Sequence, residues 1–400
     1  MPPPQSPILY FQVVILEGVK IIKVVGFETF LVNIPYKRTE VSSIVFRGGV
    51  TSVLVKLTTD DGVVGWGESC VGADAHSIDA AMQAMWPFVK DRSPWDHEDI
   101  RADLFKRGLW ALRSSTGNYA WAGFDMALWD ICGKSVDKPV YELLGGAVRD
   151  HVNYFYYLTH GDLDDIESQC DEGISLGYET YYLKTGIDFE SELQMIERVR
   201  KVIGSKNRIR IDSNGAWSAQ DAPRYLSAFE KFSIDFAEQP VREHPMSLMQ
   251  DLRSNTSVPL AANEGLWSEE DANRLITNRV ADVYTFSPYW VGSLRKFQQV
   301  AYVAEMMGSL VCRHTHGELA IAASAFHHVS LTIPNLVVGN QQTAAHMGND
   351  ILEKAIPIAS GPNWGLPTES GLGVKINQKA LDEAILDFKN HGQFLPYGQI

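Results

Sequence analysis

The stretch RIRIDSN, residues 208–214, decides the fold, because it is a short alternating strand that ends on an acidic residue, Asp212. Similar segments end at Lys184 on one side and at Glu238 and Glu264 on the other, at successive separations of 28, 26 and 26 positions. Such a separation is about the length of one strand–helix repeat. Because parallel strands meet at their carboxyl ends, we expect these four polar side chains on one face of a sheet.

Strands alternate with helices over the rest of this half of the chain. The alternation predicts βαβ units and a parallel sheet. A closed barrel gathers the strand ends around one mouth, whereas an open sheet spreads them apart, so the pattern favours a TIM barrel. The predicted strands are 152–157, 180–184, 208–212, 234–238, 260–264, 283–286 and 310–312, and the helices between them include 190–203, 219–232, 269–278 and 294–307.

The chain before the barrel predicts a small α+β domain. Three strands are expected at 21–34, 51–58 and 63–68, with a loop at 36–49 after Pro35, and helical periodicity follows at 77–89 and 118–134. Residues 1–19, which contain three consecutive prolines and a short apolar run, are interpreted as an extension in front of the fold. That extension has no secretory signal pattern and is too short to span a membrane.

Composition limits the classes of partner. Of the 400 residues, 45% are hydrophobic and 21% are charged, as in ordinary globular proteins, and the formal net charge is -14. That charge argues against nucleic acid and against a membrane surface as partners, whereas a bound cation still allows a small anionic substrate. The four cysteines are scattered without paired or metal-type spacing, which predicts reduced thiols in a cytoplasmic protein.

The three strand-end acids predict a metal site. Asp212, Glu238 and Glu264 would repel one another in one barrel mouth unless a cation lay between them. Oxygen ligands without cysteine or clustered histidine indicate a hard ion, Mg²⁺ before Ca²⁺. A divalent ion bound to a substrate carboxylate stabilises the enediolate that forms when the neighbouring proton is removed.

Lys184 and two histidines are the predicted acid–base groups. A lysine beside a divalent cation has a depressed pKa, which makes it a competent general base near neutral pH. His314 and His316 follow the last predicted strand within RHTHGE, residues 313–318, and histidine suits proton transfer near pH 7. The histidine pair at 327–328 lies in the next helix and is interpreted as structural.

From residue 20 to about residue 377 the chain resembles the mandelate racemase and muconate lactonizing enzyme group of the enolase superfamily. Each motif is weak alone, but the ordered set is specific. The motifs are Asp61-Gly62 leading to Gly65-Trp66-Gly67-Glu68, Phe124-Asp125-Met126-Ala127-Leu128-Trp129-Asp130, Leu143-Leu144-Gly145-Gly146, Glu238-Gln239-Pro240 and Gly371-Leu372-Gly373.

The resemblance implies a modified TIM barrel, (β/α)₇β, under an α+β capping domain built from both ends of the chain. The implied boundaries are 20–150 for the first part of the cap, 151–355 for the barrel and 356–400 for the segment that returns to the cap. It also implies Mg²⁺ on Asp212, Glu238 and Glu264, with Asn263 as an alternative third ligand. A small-molecule carboxylate substrate and a homo-oligomer are implied as well.

Three departures from the family pattern narrow the chemistry. Tyr182 stands where many relatives carry the first lysine of a Lys-x-Lys motif, and Lys184 keeps the second. Ser287 falls where racemase-like members carry an aspartate that orients the histidine. The sixth-strand lysine of the lactonizing and dipeptide-epimerase members has no counterpart between Glu264 and Ser287.

The surviving pair, Lys184 with a histidine, suits β-elimination, so the first hypothesis is dehydration of a hydroxylated or sugar-derived acid. A racemase or epimerase, a cycloisomerase, and a barrel that binds a ligand without catalysis are the alternatives. Tyr182 either replaces a base or lines the pocket. Substrate contacts are predicted from Asn214 and from the cap loop, where Lys37, Arg38 and Arg47 would hold a distal carboxylate. Phe46 of that loop, together with Tyr289 and Trp290, would instead favour a substrate with an apolar portion.

Overall fold

The computed structural model describes residues 22–70, 74–108, 112 and 115–395. The predicted extension at 1–19 lies outside these residues. The cap begins with the antiparallel strands β1 (Val24–Val41), β2 (Phe46–Thr59) and β3 (Val64–Cys70). Four helices follow: α1 (Ala75–Val89), α2 (His97–Arg107), α3 (Ser115–Ser135) and α4 (Val140–Leu143).

The predicted loop at 36–49 is wrong for most of its length. β1 continues past Pro35 to Val41, and β2 already begins at Phe46, so only residues 42–45 form a turn. Proline is tolerated because β1 is the edge strand of its three-stranded sheet, beside which Tyr36 makes only an isolated bridge to Met347, and a register irregularity lies between Pro35 and Glu40. The resulting β1–β2 ribbon reaches the barrel mouth, where Ser43 Oγ donates a hydrogen bond to the carbonyl of Ser213 at 2.9 Å.

Two glycines bring β3 against α3. A Cβ atom on Gly65 would lie 2.2 Å from the carbonyl oxygen of Ala127, and one on Gly67 would lie 1.9 Å from that of Gly123. Only glycine allows this approach, which explains the Gly-x-Gly spacing in the motif. The contact aligns the strand so that the next residue, Glu68, points toward the barrel.

Strands and helices of the barrel alternate as predicted, with one exception. After β4 (His151–Asn153) come β5 (Tyr156–Leu158), α5 (Leu163–Ser175), β6 (Thr180–Lys184), α6 (Phe189–Ile203), β7 (Arg208–Asp212), α7 (Ala222–Glu230), β8 (Ile234–Glu238), α8 (Ser247–Ser254), β9 (Leu260–Ala262), α9 (Glu269–Thr277), β10 (Val283–Phe286), α10 (Pro288–Val291), α11 (Leu294–Met306), β11 (Leu310–Arg313) and α12 (Ala320–Ser330). Strands β5 to β11 form one parallel sheet in sequence order. The single strand predicted at 152–157 is divided into β4, outside the parallel sheet, and β5, within it.

Residues 336–341 join the two edges of this sheet. The amide of Val337 donates to the carbonyl of Val311 in β11 at 2.9 Å, and the amide of Phe155, just before β5, donates to the carbonyl of Asn340 at 3.0 Å. Seven strand–helix units and one further strand segment therefore surround a common interior. The predicted modified TIM barrel is confirmed.

The end of the chain contacts first β4, at the start of the barrel, and then the cap. Strand β12 (Asn363–Gly365) pairs with β4, and α13 (Gln378–His391) packs on β1. Beyond α13 the amide of Phe394 donates to Thr51 Oγ1 in β2 at 2.8 Å. No helix among the described residues is both long and apolar enough to cross a bilayer.

One buried carboxylate joins the cap to the barrel. Glu68 accepts hydrogen bonds from the backbone amides of Leu319 at 2.7 Å and Ala322 at 2.9 Å, at the start of α12. It also accepts from Ser52 Oγ at 2.9 Å. A carboxylate at the first turn of a helix satisfies amides that have no partner within the helix.

We expect Gly67→Ala to lower the free energy of unfolding by roughly 1–3 kcal/mol, because the new methyl group would overlap the carbonyl oxygen of Gly123. Gly48→Ala is the matched control, since a Cβ atom there meets nothing within 4 Å. Thermal unfolding followed by circular dichroism measures both variants. Equal midpoints for the two would contradict the assigned contact between β3 and α3.

Candidate active site

The strand-end charges lie side by side at the barrel mouth. Lys184 pairs in register with Asp212 on the neighbouring strand, and Asp212 pairs with Glu238 on the next. Lys184 Nζ lies 2.6 Å from Asp212 Oδ2. Both side chains are buried, so the ion pair is poorly screened by solvent. Burial acts to lower the pKa of Lys184, but Asp212, Glu238 and Glu40 raise it above its usual value.

Two further acids complete the group. Gln341 Nε2 donates to both carboxylate oxygens of Glu238, at 3.0 and 2.8 Å. Burial first, and then the charge of Asp212, raise the pKa of Glu238 well above its usual value. The same two causes raise the pKa of Glu264 to about 7. The buried Glu264 Oε2 has no hydrogen-bond partner among the described residues.

Glu264 and Asn263 differ in what their side chains can offer a cation. Strand β9 ends at Ala262, two residues earlier than predicted, so both lie in the turn that follows it. The Asn263 amide donates to the carbonyl of Thr285 at 2.8 Å. Glu264 keeps one oxygen unpartnered, and its other oxygen accepts from Asn214 Nδ2 at 3.0 Å. This geometry favours Glu264 over Asn263 as a third metal ligand.

The three carboxylates fit a hard cation, but some of their oxygens already accept hydrogen bonds from other side chains. Within the described part of the chain, no set of three or more His, Cys, Asp or Glu side chains is arranged to hold a metal ion as it stands. Asp212 Oδ2 accepts from Lys184, from Asn214 Nδ2 at 3.2 Å and from the Tyr182 hydroxyl. Metal binding therefore requires these donors to give way. The three clustered carboxylates, with one buried oxygen unpartnered, provide the negative charge that such an ion needs.

Tyr182 lies below Lys184 on the same face of β6, because alternate side chains of a strand share a face. Its hydroxyl donates to Asp212, and its ring stacks on Phe155 with centroids 4.6 Å apart. Burial and the charge of Asp212 raise the pKa of Tyr182 well above its usual value. The side chain does not line the cleft described below, so its position fits orienting Asp212 better than proton transfer.

His314 and His316 lie across the mouth from Lys184, directly after β11. The His314 ring stacks on Trp290 with centroids 4.7 Å apart, and the His316 ring meets the same indole edge-on at 5.1 Å. Burial lowers the pKa of His314 well below its usual value and that of His316 to about 4. Both Nδ1 atoms are buried without a hydrogen-bond partner among the described residues. Both imidazoles are therefore neutral near pH 7.

The position predicted to lack the orienting aspartate is occupied by a capping serine. Ser287 is buried, and its Oγ accepts from the amide of Tyr289 at 3.2 Å at the start of α10.

The predicted structural histidines in α12 are also packed in the core. His327 Nδ1 lies 3.0 Å from the Tyr154 hydroxyl, and His328 Nδ1 accepts from the amide of Tyr141 at 3.1 Å.

A cleft of about 270 Å³ opens between the cap and these strand ends. It brings together most of the predicted residues but not all of them. Lys37 lies elsewhere, because its Nζ donates to the carbonyl of Ala345 and it lines a separate depression with Arg38. The cleft is lined by Glu40, Ile44, Val45, Arg47, Gly49, Val50, Thr51, Cys70, Tyr119, Lys184, Asn214, Asn263, Glu264, Trp267, Trp290, His314, Thr315, His316 and Phe394.

Several functional contacts were missed by the sequence analysis. Glu40 lies in the segment that was predicted as a loop, and Gln341 lies in the closing strand segment, which was not predicted. Trp267 and Phe394 come from a turn and from the C-terminal segment. None of these residues follows a predicted strand end, which was the signal that found the others.

Family models match two parts of the chain. Residues 28–145 match the mandelate racemase / muconate lactonizing enzyme N-terminal domain. Residues 165–380, more than half of the chain, match the enolase C-terminal domain-like family.

Whole relatives align as well. The N-succinyl-L-Arg/Lys racemase of Bacillus cereus is 26% identical over 374 residues, which cover 90% of this chain and 97% of the racemase. The D-galactonate dehydratase of Xanthomonas campestris pv. campestris is 29% identical over 353 residues, which cover 83% of this chain and 90% of the dehydratase.

The crystal structure of N-succinyl Arg/Lys racemase from Bacillus cereus superimposes with a TM-score of 0.84 at 25% identity, covering 90% of this chain and 98% of the racemase. The relatives thus include both a racemase and a dehydratase that act on small carboxylic acids. With its capping strands, its barrel and both family matches in place, the chain belongs to the mandelate racemase and muconate lactonizing enzyme group of the enolase superfamily.

Proposed function

We propose that this protein is a Mg²⁺-dependent enzyme that removes the proton α to the carboxylate of a small hydroxylated acid and eliminates its β-hydroxyl group as water. One observation carries the proposal. Three carboxylates at the ends of consecutive barrel strands or just beyond them are flanked around the mouth by Lys184 on one side and His314 on the other. Asp212 and Glu238 are buried, and Glu264 is half-buried with its Oε2 atom enclosed. This arrangement places proton-transfer groups on both sides of a region that attracts a cation.

Asp212, Glu238 and Glu264 would hold the ion. When bound, Mg²⁺ neutralises the negative charge that develops on the substrate carboxylate as the neighbouring proton leaves. Gln341 positions Glu238, while Tyr182 and Asn214 position Asp212 through their hydrogen bonds. Asn214 also lines the cleft, so it would contact the substrate carboxylate.

The proton balance of the dehydration is simple. Lys184, once it has lost its proton, takes the α proton, and the electron pair of that C–H bond forms the new C–C double bond. The bond to the β oxygen breaks, and this oxygen leaves as water after receiving a proton from the acid group. His314 and His316 line the cleft on the side away from Lys184, so either one can supply that proton after protonation in the complex.

Racemisation is the second candidate, and the charge states of the two groups favour it. Before a cation binds, the acidic neighbours of Lys184 raise its pKa and burial lowers the pKa of His314, so one group favours its protonated form and the other its neutral form. Such a pair can take a proton from one face of the α carbon and return one to the other face. The similarity to a racemase over nearly its whole length supports the same reading. The homo-oligomer and the cytoplasmic location stay predictions from sequence.

We expect Lys184→Ala to slow exchange of the α proton by about 10²–10⁴-fold, because the cleft then loses one of its two proton-transfer groups. The assay follows deuterium entering small hydroxy acids in D₂O with Mg²⁺ by NMR. A keto acid formed from a 2,3-dihydroxy acid, or an unsaturated acid formed from a 3-hydroxy acid, indicates dehydration, whereas deuterium with inversion indicates racemisation. Lys37→Ala is the control, since Lys37 lies outside the cleft and should leave exchange unchanged. A protein that binds these acids without any exchange would instead be a non-catalytic binder.

Glu264→Gln should weaken Mg²⁺ binding by at least about tenfold, because it replaces the carboxylate that has the unpartnered buried oxygen with a neutral amide. Calorimetric titration with MgCl₂ measures the affinity. Glu270→Gln removes an exposed carboxylate six residues away and should leave the affinity unchanged. Unaltered Mg²⁺ affinity in Glu264→Gln would rule out this residue as a ligand.

A further inference from the structure

The cleft has two chemically different ends. Its floor carries the charged and amide groups of the strand ends, including Lys184, Asn214 and Glu264. Its outer wall is built by the cap and by turns that come from distant parts of the sequence. The aliphatic and aromatic members of this wall are Ile44, Val45, Val50, Tyr119, Trp267, Trp290 and Phe394. The tyrosine and the two tryptophans present mainly apolar ring surface and one polar group each.

The wall offers no cation for a second carboxylate. Among the described residues that line the cleft, Arg47 and Lys184 are the only arginine or lysine side chains. Arg47 Nε lies 2.6 Å from Glu40 Oε2, and both side chains are largely buried, so their charges cancel within the cleft. The Glu40 carboxylate also accepts from the Tyr157 hydroxyl at 3.3 Å. The Arg47 charge is therefore already neutralised.

The wall also offers few hydrogen bonds to a chain of hydroxyl groups. Thr51 Oγ1 donates to Asn33 Oδ1 at 2.6 Å and accepts from the amide of Phe394 at 2.8 Å. Thr315 Oγ1 donates to Glu318 Oε2 at 2.7 Å. Both lining threonines thus have protein partners, and a substrate hydroxyl placed beside either of them would lose its hydrogen bonds to water unless it displaced one of these partners.

The turn of the β1–β2 ribbon leaves apolar surface uncovered beside this wall. Ile44 is 55% exposed at the tip of the turn, and it lines the cleft. The neighbouring Ser43 holds the turn over the barrel mouth through its hydrogen bond to Ser213. An apolar group in the cleft would cover Ile44 and exclude water from the wall, which is favourable because it removes apolar area from solvent.

We propose that the substrate is a monocarboxylic acid whose far end is an alkyl or aryl group, not a second carboxylate and not a polyhydroxylated chain. The placement of its carboxylate on the strand-end side rests on the proposed function. The apolar end is selected by the wall, with Ile44 of the ribbon turn over it and the Glu40–Arg47 pair excluding a distal anion. Within the acids considered above, this selects a hydroxylated acid with an apolar end over a sugar acid.

Three acids that differ in the group at the end away from the carboxylate test the proposal. Their equilibrium binding in the presence of Mg²⁺ is measured by calorimetry. The probes are 3-phenylpropanoate, glutarate and gluconate. We expect 3-phenylpropanoate to bind at least about tenfold more tightly than the other two, because only its far end suits an apolar wall. Equal or tighter binding of glutarate or gluconate, turnover of gluconate, or no saturable binding of 3-phenylpropanoate would overturn the proposal.

Ile44→Ser should weaken 3-phenylpropanoate binding by about 3-fold to 10-fold, because it replaces the apolar side chain of the ribbon turn with a hydroxyl. Ile187→Ser is the matched control, since Ile187 is 52% exposed and does not line this cleft. Both positions are exposed, so neither change should affect folding. Equal affinities of the two variants would remove Ile44 from the binding wall.

Glu40→Gln tests whether Glu40 neutralises the charge of Arg47 in the cleft. Loss of the carboxylate leaves the Arg47 guanidinium without its partner, so glutarate should bind at least about tenfold more tightly while 3-phenylpropanoate stays within about twofold. Glu28→Gln is the control, because it breaks the Lys56–Glu28 pair, which lies outside the cleft. Unchanged glutarate affinity in Glu40→Gln would contradict the role given to the pair.

The binding experiments separate this inference from the proposed function. A preference for 3-phenylpropanoate without α-proton exchange in any acid would support the apolar wall and refute the enzyme. Exchange confined to polyhydroxylated acids would support the enzyme and refute the apolar wall.

Discussion

The mutual repulsion of three carboxylates, two of them buried and the third half-buried, is the constraint on which this site depends. Asp212, Glu238 and Glu264 lie on consecutive barrel strands or just beyond them, and burial together with their shared charge raises the pKa of the last two. Lys184 supplies one positive charge against three acids. The amide groups of Gln341 and Asn214 reduce the remaining cost through hydrogen bonds, but they add no charge. A divalent cation is the group that would balance this cluster.

The barrel and the cap divide the work of recognition. The barrel strands supply the groups that would act at the carboxylate and at the α carbon, because their ends converge on one face. The cap and the end of the chain supply the wall against which the rest of the substrate would lie, including Val50 of β2 and Phe394. Glu68 joins the cap to the barrel through its hydrogen bonds at the start of α12, and the close packing of β3 on α3 within the cap holds Glu68 in position. Substrate choice can therefore change in the cap without disturbing the strand-end chemistry.

Sequence spacing located the strand-end residues well, because each lies at the end of a local pattern. A strand of five residues that ends on an acid can be recognised within a window of seven positions, as in residues 208–214. Pro35 was misread for the same reason. Its local effect is to end a strand, but its place on the sheet edge removed the penalty, and edge position is not a local property.

By itself the sequence determined the barrel and the acidic cluster, since these follow from repeat length and residue type, whereas the pairing of Lys184 with a histidine was an expectation from the resemblance to the family. The tertiary structure alone decided which cations line the cleft. Lys37 and Arg47 belong to the same ribbon, yet Lys37 points away to the carbonyl of Ala345, and Arg47 turns into the cleft and is neutralised by Glu40. These outcomes depend on how the ribbon twists over a barrel built from residues far along the chain, and no spacing in the sequence records that geometry.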